Sequence, residues 1–420
     1  MTDSPQPEGN QRGYITRLLI IFSLVYIVDG LAQSPLYTQT VTNYLKNVIG
    51  WAPDHVTQYL TITSLPWVIK PLYGLISDFV PLFGYRRKSW LFVSNLLAGA
   101  SFVWLAFLTH PDYIIVALVL ANFGIAASTT LCSALVVENG KKHSMSGSFV
   151  NVQWIWFYIA TVAASIGAGW LAQHLDPTNA LHASAMILGL SPIIVLVGTV
   201  YFVHEEKAKV DIAGFKTSFA SLLAVFKSRV FWLVALFIFF YNFNPGFGTP
   251  LYYYETDTLK FDQQFIGNLS AIGAAGSVLG GFIYAFMQKR MTLKTLLIIS
   301  VLLGALSQAS YLMLSGEVSA IVLAVANGIF GMITVVSLMT LAADYCPDGA
   351  EGFAYALLMS VNNVASQLSE NVGAYAYVNF FHSQLAPLII FSSVVTLFVF
   401  ILIPTLKLGN KMPGEKANMD

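Results

Sequence analysis

Charge is what this sequence has least of. Only 10% of its 420 residues are charged, 21 Lys and Arg against 21 Asp and Glu, where a soluble protein carries about a quarter. The net charge of zero lacks the basic footprint that a nucleic-acid partner requires. Cysteine is scarce as well. Cys132 and Cys346 lie in or beside apolar runs and make neither a metal-ligand spacing nor a disulfide framework, so they read as small packing residues. No glycine-rich loop ends in Gly-Lys-Ser/Thr, which excludes a nucleotide-phosphate loop of that type. A nucleophile elbow, a zincin pair and an alternating carboxylate dyad are all missing, and the seven histidines are scattered. No catalytic residue, metal or cofactor is expected, and an enzyme is not the reading these residues support.

What the chain does have is apolar surface. It is 56% hydrophobic, with 30 Phe and 8 Trp. Apolar runs recur at residues 14–36, 56–80, 89–109, 113–137, 147–171 and 181–203, then at 230–253, 263–287, 293–314, 318–343, 352–378 and 384–406. Each has about the length that crosses a hydrocarbon core as a helix, and they are numbered helices 1 to 12. The first run outlasts a signal-peptide core and lacks a small-residue cleavage site, so no cleaved leader is expected. The predicted class is an all-α integral membrane protein with twelve spans in two six-helix bundles. Its expected division is a tail (1–12), a first bundle (13–203), a linker (204–229), a second bundle (230–406) and a second tail (407–420). The linker stretch FKTSFASLLAVFK repeats apolar residues at helical spacing between lysines, which predicts an amphipathic helix on the membrane surface.

Lysine and arginine give the orientation. With the N-terminus inside, Arg12, Arg17, Arg86 to Lys88, Lys141, Lys142, the linker basics, Lys289, Arg290, Lys294 and the tail lysines all become cytoplasmic, leaving Lys46 and Lys260 outside. Both termini are expected in the cytoplasm, in a bacterial plasma membrane.

The stretch 64–90, SLPWVIKPLYGLISDFVPLFGYRRKSW, is the most informative. Gly74, Asp78, Gly84, Arg86 and Arg87 fall as in the loop between helices 2 and 3 of the major facilitator superfamily, which the chain resembles. A worn copy follows helix 8: Gly280, Gly281, then Gln288-Lys289-Arg290. Gly273, Gly276 and Gly280 stand about one turn apart, which suits close helix packing. More narrowly, the Lys-Pro-Leu-Tyr-Gly segment with Pro81-Leu82-Phe83-Gly84-Tyr85-Arg86-Arg87 is similar to the folate–biopterin transporter family. So is Cys346-Pro347-Asp348-Gly349-Ala350-Glu351 ahead of helix 11; residues 250–281 and 147–154 match more loosely. Members of that family usually carry an acidic residue in helix 4 shortly before Val136-Val137-Glu138, where this chain has Cys132-Ser133-Ala134. They tend to have Gln-Gly in helix 1, where this chain has Asp29-Gly30. The acidic group has moved from helix 4 to helix 1.

Ionisable residues inside a span cost ~3 kcal/mol each on insertion scales and face a cavity or a partner. Asp29, Lys70 and Glu370 are the three. Asp29 and Lys70 form an ion pair, or Lys70 stays available for a substrate carboxylate; both readings stand at this point. Asp29 and Glu370 are the candidates for proton coupling. The substrate-binding candidates are Lys70, Gln153, Trp154, Tyr241, Asn242, Asn244, Asn363, Gln367 and Glu370. Pro245, Gly246 and Gly248 predict a break in helix 7. Gly74, Asp78, Gly84, Arg86, Arg87, Glu138 and Asp344 form the gate and fold motif.

The resemblance implies a secondary transporter that moves a small aromatic organic anion, folate- or pterin-like, by alternating access with protons as coupling ion. An importer of an iron-siderophore, a muropeptide or another metabolite would use the same fold, and a non-transporting receptor is the alternative of another class. The expected partners are a small-molecule substrate, protons and membrane lipid, with no nucleic acid, and the expected state is a monomer.

Overall fold

In the computed structural model the described residues are 8–33, 35–143, 145–203, 205, 207, 225–346, 351–406 and 408. Most of the expected linker helix, residues 1–7, the second tail apart from Leu408 and the Pro347-to-Ala350 part of the helix 11 motif lie outside them, while residues 8–12, expected as tail, already belong to helix 1. Among the described residues, helical segments join across short breaks into twelve rods. Helix 1 runs as Glu8–Ala32 and Pro35–Asn47, helix 2 as Pro53–Val68 and Lys70–Phe79, helix 3 as Lys88–Leu105, helix 4 as Pro111–His143, helix 5 as Ser146–His174, and helix 6 as Pro177–Leu190 and Pro192–Phe202. In the second half, helix 7 is Arg229–Asn242 and Gly248–Asp257, helix 8 Gln263–Met287, helix 9 Leu293–Ser310, helix 10 Glu317–Asp344 and helix 11 Glu351–Asn379. Helix 12 is Leu385–Phe398, tightening into a 3-10 turn at Val399–Leu406. By length and composition, eight stretches among the described residues can cross a membrane, in helices 1, 4, 5, 6, 8, 9, 10 and 12. Helices 2 and 7 are broken, helix 3 has 18 residues, and helix 11 is long enough but more polar.

The ends of the rods follow local chemistry. Several segments start on proline, which has no N–H to leave unpaired and a φ already suited to a helix. Side-chain caps do the rest: Asp176 accepts from the backbone N–H of Thr178 and Asn179, both at 3.1 Å, and Asp262 accepts from Phe265 N–H at 2.6 Å. The Asp176 carboxyl is held below the usual range, chiefly by the Asn179 N–H.

Each half buries its own core. The first centres on Phe22, Phe102, Phe149, Leu118 and Ile125, and the second on Phe231, Phe237, Leu297, Leu341 and Leu358. Helices 8 and 10 approach closely through glycine, as the spacing predicts. A Cβ on Gly276 or Gly280 would come within 2.7 Å or 2.5 Å of a helix 10 carbonyl.

The halves meet on the side opposite the chain termini, through polar groups. Gln263 is the hub: its N–H donates to Gln173 Oε1 (2.9 Å), while Gln39 Nε2 donates to its carbonyl (2.9 Å) and to its Oε1 (3.1 Å). Beside it helices 5 and 8 touch backbone to backbone, since a Cβ on Gly267 would lie 2.5 Å from the Ser165 carbonyl. Lys46 pairs with Asp257 at 2.5 Å, donates to Thr256, and sits over the Tyr253 ring at 4.5 Å. Tyr253 OH donates to the Trp51 carbonyl at 2.5 Å. Toward mid-depth, Thr61 donates to Gln367 Oε1 (3.2 Å) and accepts from Asn371 Nδ2 (2.6 Å), and Asn363 Nδ2 donates to the Trp67 carbonyl (3.1 Å).

This seam generates a prediction. Gly267→Leu forces helices 5 and 8 apart, and a cysteine placed at the buried Gln39 position should then react with maleimide about tenfold faster than in the Gly267 background. The native Cys132 and Cys346 are buried, so the added thiol dominates the signal. Equal rates would mean that the seam does not depend on this contact.

Candidate functional site

Between the halves, at the depth where helices 1, 2 and 7 break, charged and aromatic groups converge. Helix 2 loses its ladder because Pro66 and Pro71 flank Ile69. The carbonyl of Pro66 is taken up by Tyr73 OH at 3.0 Å, and Lys70 opens the second segment. Its Nζ lies 4.3 Å from the centre of the Trp67 ring. Helix 1 holds Asp29 one turn before its own break, where the buried carboxylate accepts from Gln33 Nε2 at 2.5 Å. Asp29 and Lys70 act on each other electrostatically, but no direct ion pair among the described residues joins them.

Asp29 also acts electrostatically on Cys132 of helix 4. Around Asp29 stand aromatics. Tyr26, one turn before Asp29, shares a hydrogen bond with Ser133 Oγ at 3.1 Å and meets Trp154 edge-on at 6.5 Å. Trp154 is 38% exposed and stacks on Tyr158 at 5.9 Å. Tyr158 OH in turn reaches Met332 Sδ of helix 10 at 3.6 Å, so the aromatic wall bridges both halves. Gln153 is buried behind it and donates to Cys132 Sγ at 3.7 Å.

The remaining sequence candidates lie elsewhere. Asn363 and Gln367 are engaged with helix 2 in the seam. Tyr241 turns into the core of the second bundle, its OH donating to the Ser300 carbonyl at 3.0 Å, with Gly304 leaving room for the ring. Asn242 donates back to Ile238 O at 2.8 Å. Asn244 ties four helices together: its Oδ1 accepts from Gln308 (2.8 Å) and Ser392 (3.3 Å), and its carbonyl accepts from Ser369 Oγ. Glu370 Oε2 accepts from Gly248 N–H at 3.1 Å, at the start of the second segment of helix 7.

The gate motif forms a separate cluster on the side of the termini. Gly84 has φ +84°, in the left-handed region, and closes the turn between helices 2 and 3. Arg87 is buried, donating to Ser77 Oγ at 2.5 Å and to Glu138 Oε1 at 2.7 Å. Glu205 accepts from the backbone N–H groups of Arg86, Arg87 and Lys88 at 2.9–3.1 Å, at the positive end of helix 3. Gly74 faces Thr130 of helix 4, and Asp344 ends helix 10. The side chains of Asp78, Lys141 and Lys142 lie outside the described residues.

Sequence reasoning missed Tyr26, Gln33, Ser133, Ser369 and Glu205. Tyr26 and Gln33 were within reach of a pattern argument, since positions three before and four after Asp29 share its helical face. The other three pair through distant chain segments and carry no local signal.

Two helical halves, joined by polar contacts on one side and enclosing charged and aromatic groups at mid-depth, define a multi-pass membrane protein. The chain belongs to the BT1 family, whose sequence pattern matches residues 29–412. It is similar to the folate-biopterin transporter of Synechocystis sp., with 27% identity over 379 residues covering 85% of this chain and 74% of that protein. Folate transporter 2 of Plasmodium falciparum is 24% identical over 383 residues, covering 88% of this chain and 82% of the relative. Among solved structures, a D-xylose-proton symporter superposes with TM-score 0.74 at 15% identity, over 96% of this chain and 100% of that one. The fold is that of the major facilitator transporters.

The Arg87 cluster is testable by thermal unfolding. Arg87→Ala and Arg87→Lys should both lower Tm by several degrees, because a single ammonium cannot reach Ser77 and Glu138 together. Glu138→Gln should cost far less, since Glu138 is half-exposed and such pairs contribute about 0–1 kcal/mol. Full rescue by lysine would contradict the two-pronged geometry.

Proposed function

We propose that this protein is a secondary transporter that carries folate- or pterin-like compounds across the membrane by alternating access, coupled to protons through Asp29. The observation that carries the reading is the meeting of Asp29, Lys70, Trp67, Tyr26 and Trp154 at mid-depth in a chain of the BT1 family. A flat heteroaromatic ring has stacking partners there. A carboxylate such as Asp29 can accept two adjacent N–H groups from a pterin edge, and Lys70 can meet an anionic side chain. The matched relatives named as folate and folate-biopterin transporters supply the substrate class.

The remaining parts of the proposal are physical. The excess of Lys and Arg on the side of the termini supports cytoplasmic termini, and a bacterial plasma membrane is part of the same proposal. On that orientation the sealed seam faces outward and the site opens inward. Each chain contains both halves of the pathway, which supports a monomer as the working unit. The division into bundles at 13–203 and 230–406 with a surface linker between them belongs to the same proposal. Gln153 backs the wall that Trp154 presents. Asn363 and Gln367 hold the seam in this state and become available to substrate when it opens.

The chemistry separates two substrates. Folate carries carboxylates on its side chain and biopterin carries none, so Lys70→Ala should weaken folate about 10- to 100-fold and leave biopterin nearly unchanged. Asp29→Asn should remove the pH dependence of uptake while retaining counterflow at raised substrate concentration, since the amide keeps only one of the two acceptor oxygens. Counterflow of labelled folic acid and biopterin in proteoliposomes, with and without a pH gradient, reads both. Movement of a siderophore but of neither pterin would overturn the substrate class. Binding of either pterin with no flux under any gradient would favour a receptor.

A further inference from the structure

Helix 7 stops at Asn242 and restarts at Gly248, at a depth where lipid offers a backbone group no partner. Helix 11 supplies the partners from three adjacent places. Gly246 N–H donates to the Ser369 carbonyl at 2.9 Å, Ser369 Oγ donates to the Asn244 carbonyl, and Gly248 N–H donates to Glu370 Oε2 at 3.1 Å. The approach leaves no room for side chains. A Cβ on Gly246 would sit 2.5 Å from Glu370 Oε1, and a Cβ on Gly373 would sit 1.7 Å from the Gly246 carbonyl. The second segment, Gly248–Asp257, has ten residues, and its positive end favours the oxygen that Glu370 presents.

We propose that Glu370 is a positioning residue: it holds the outer segment of helix 7 against helix 11 through its acceptor oxygen and does not carry the coupled proton. The inference rests on the transporter reading. Residues 369–373 and the helix 7 break then move as one body when the halves rock, and Asn244 anchors that body to helices 9 and 12. What the break needs from position 370 is an oxygen of the right length. Glutamine supplies one and alanine does not. Gly373 and Gly246 are required as glycine for the same contact.

Hydrogen–deuterium exchange of the substrate-free protein in nanodiscs, read over residues 243–258, tests the contact without any transport. Glu370→Ala should exchange about tenfold faster there than the parent, and Glu370→Gln within about threefold of it. Gly373→Ala, which keeps the carboxylate but displaces the break, should also exchange faster, and it decides the matter if Glu370→Ala does not fold. Uptake of labelled folic acid supplies the second reading: Glu370→Gln should keep gradient-driven uptake with the parent's pH profile, while Glu370→Ala loses it. Unchanged exchange in Glu370→Ala or Gly373→Ala overturns the proposal. So does a Glu370→Gln protein that exchanges normally and performs counterflow but has lost gradient-driven uptake, the signature of a proton carrier. If the parent moves no folate, the substrate reading fails and the exchange order still decides this one.

Discussion

Backbone that leaves the helix inside a membrane must find its hydrogen-bond partners within the protein, and the rest of this structure follows from that constraint. Four rods are interrupted along their length, and in helices 1, 2 and 7 named groups meet the break. Tyr73 takes the Pro66 carbonyl in helix 2, Thr161 Oγ1 reaches the Gly30 carbonyl in the last turn before the break in helix 1, and helix 11 carries the break in helix 7. The repairs place polar groups where a uniform apolar rod would have none. Lys70 opens a helical segment because two prolines interrupt the ladder around it. The candidate site is therefore a product of broken helices, and its polarity is stabilised by the same bonds that repair them.

The seam between the halves obeys a second requirement, which is that it must also open. An apolar interface of this size would be hard to separate and hard to wet. Here closure relies on a few hydrogen bonds, each contributing about 1 kcal/mol net, and on glycines that let helices 5 and 8 touch. Lys46 illustrates the balance. Its ion pair reaches an Asp257 that is 58% exposed, which makes the pair weak, but its ammonium also lies over the Tyr253 ring, which gives the latch a definite geometry. Gln263 collects bonds from helices 1, 5 and 7, so parting the halves there releases several contacts at once. That is how a set of weak contacts can behave as a two-state device.

Much of this was legible in the sequence, for reasons that differ by feature. Apolar run length determined the rods, because bilayer thickness sets their scale. The break in helix 7 was legible because proline and glycine act locally. Asp29, Lys70 and Glu370 stood out because charge within a span is costly. The sequence brought Asp29 and Lys70 together but left open whether they pair, and it did not place Glu370 against helix 7. Both are relations between rods, set by rotation and depth, and neither is encoded by spacing along one chain segment. Asn244 and Tyr241 read as site residues because polar and aromatic groups near a break usually face a cavity. The structure gives them to interhelical bonds, which compete for the same polar atoms.

The central claim is that the two halves rock about the mid-depth site, opening one side as the other closes. Double electron–electron resonance distances between spin labels test it directly. One pair goes on the sealed side, at Val48 and Lys260, and the other on the side of the termini, at Phe83 and Arg290. Adding biopterin or folate should change the two distances in opposite directions within the same sample. Two distances that stay fixed, or that lengthen together, would contradict the account.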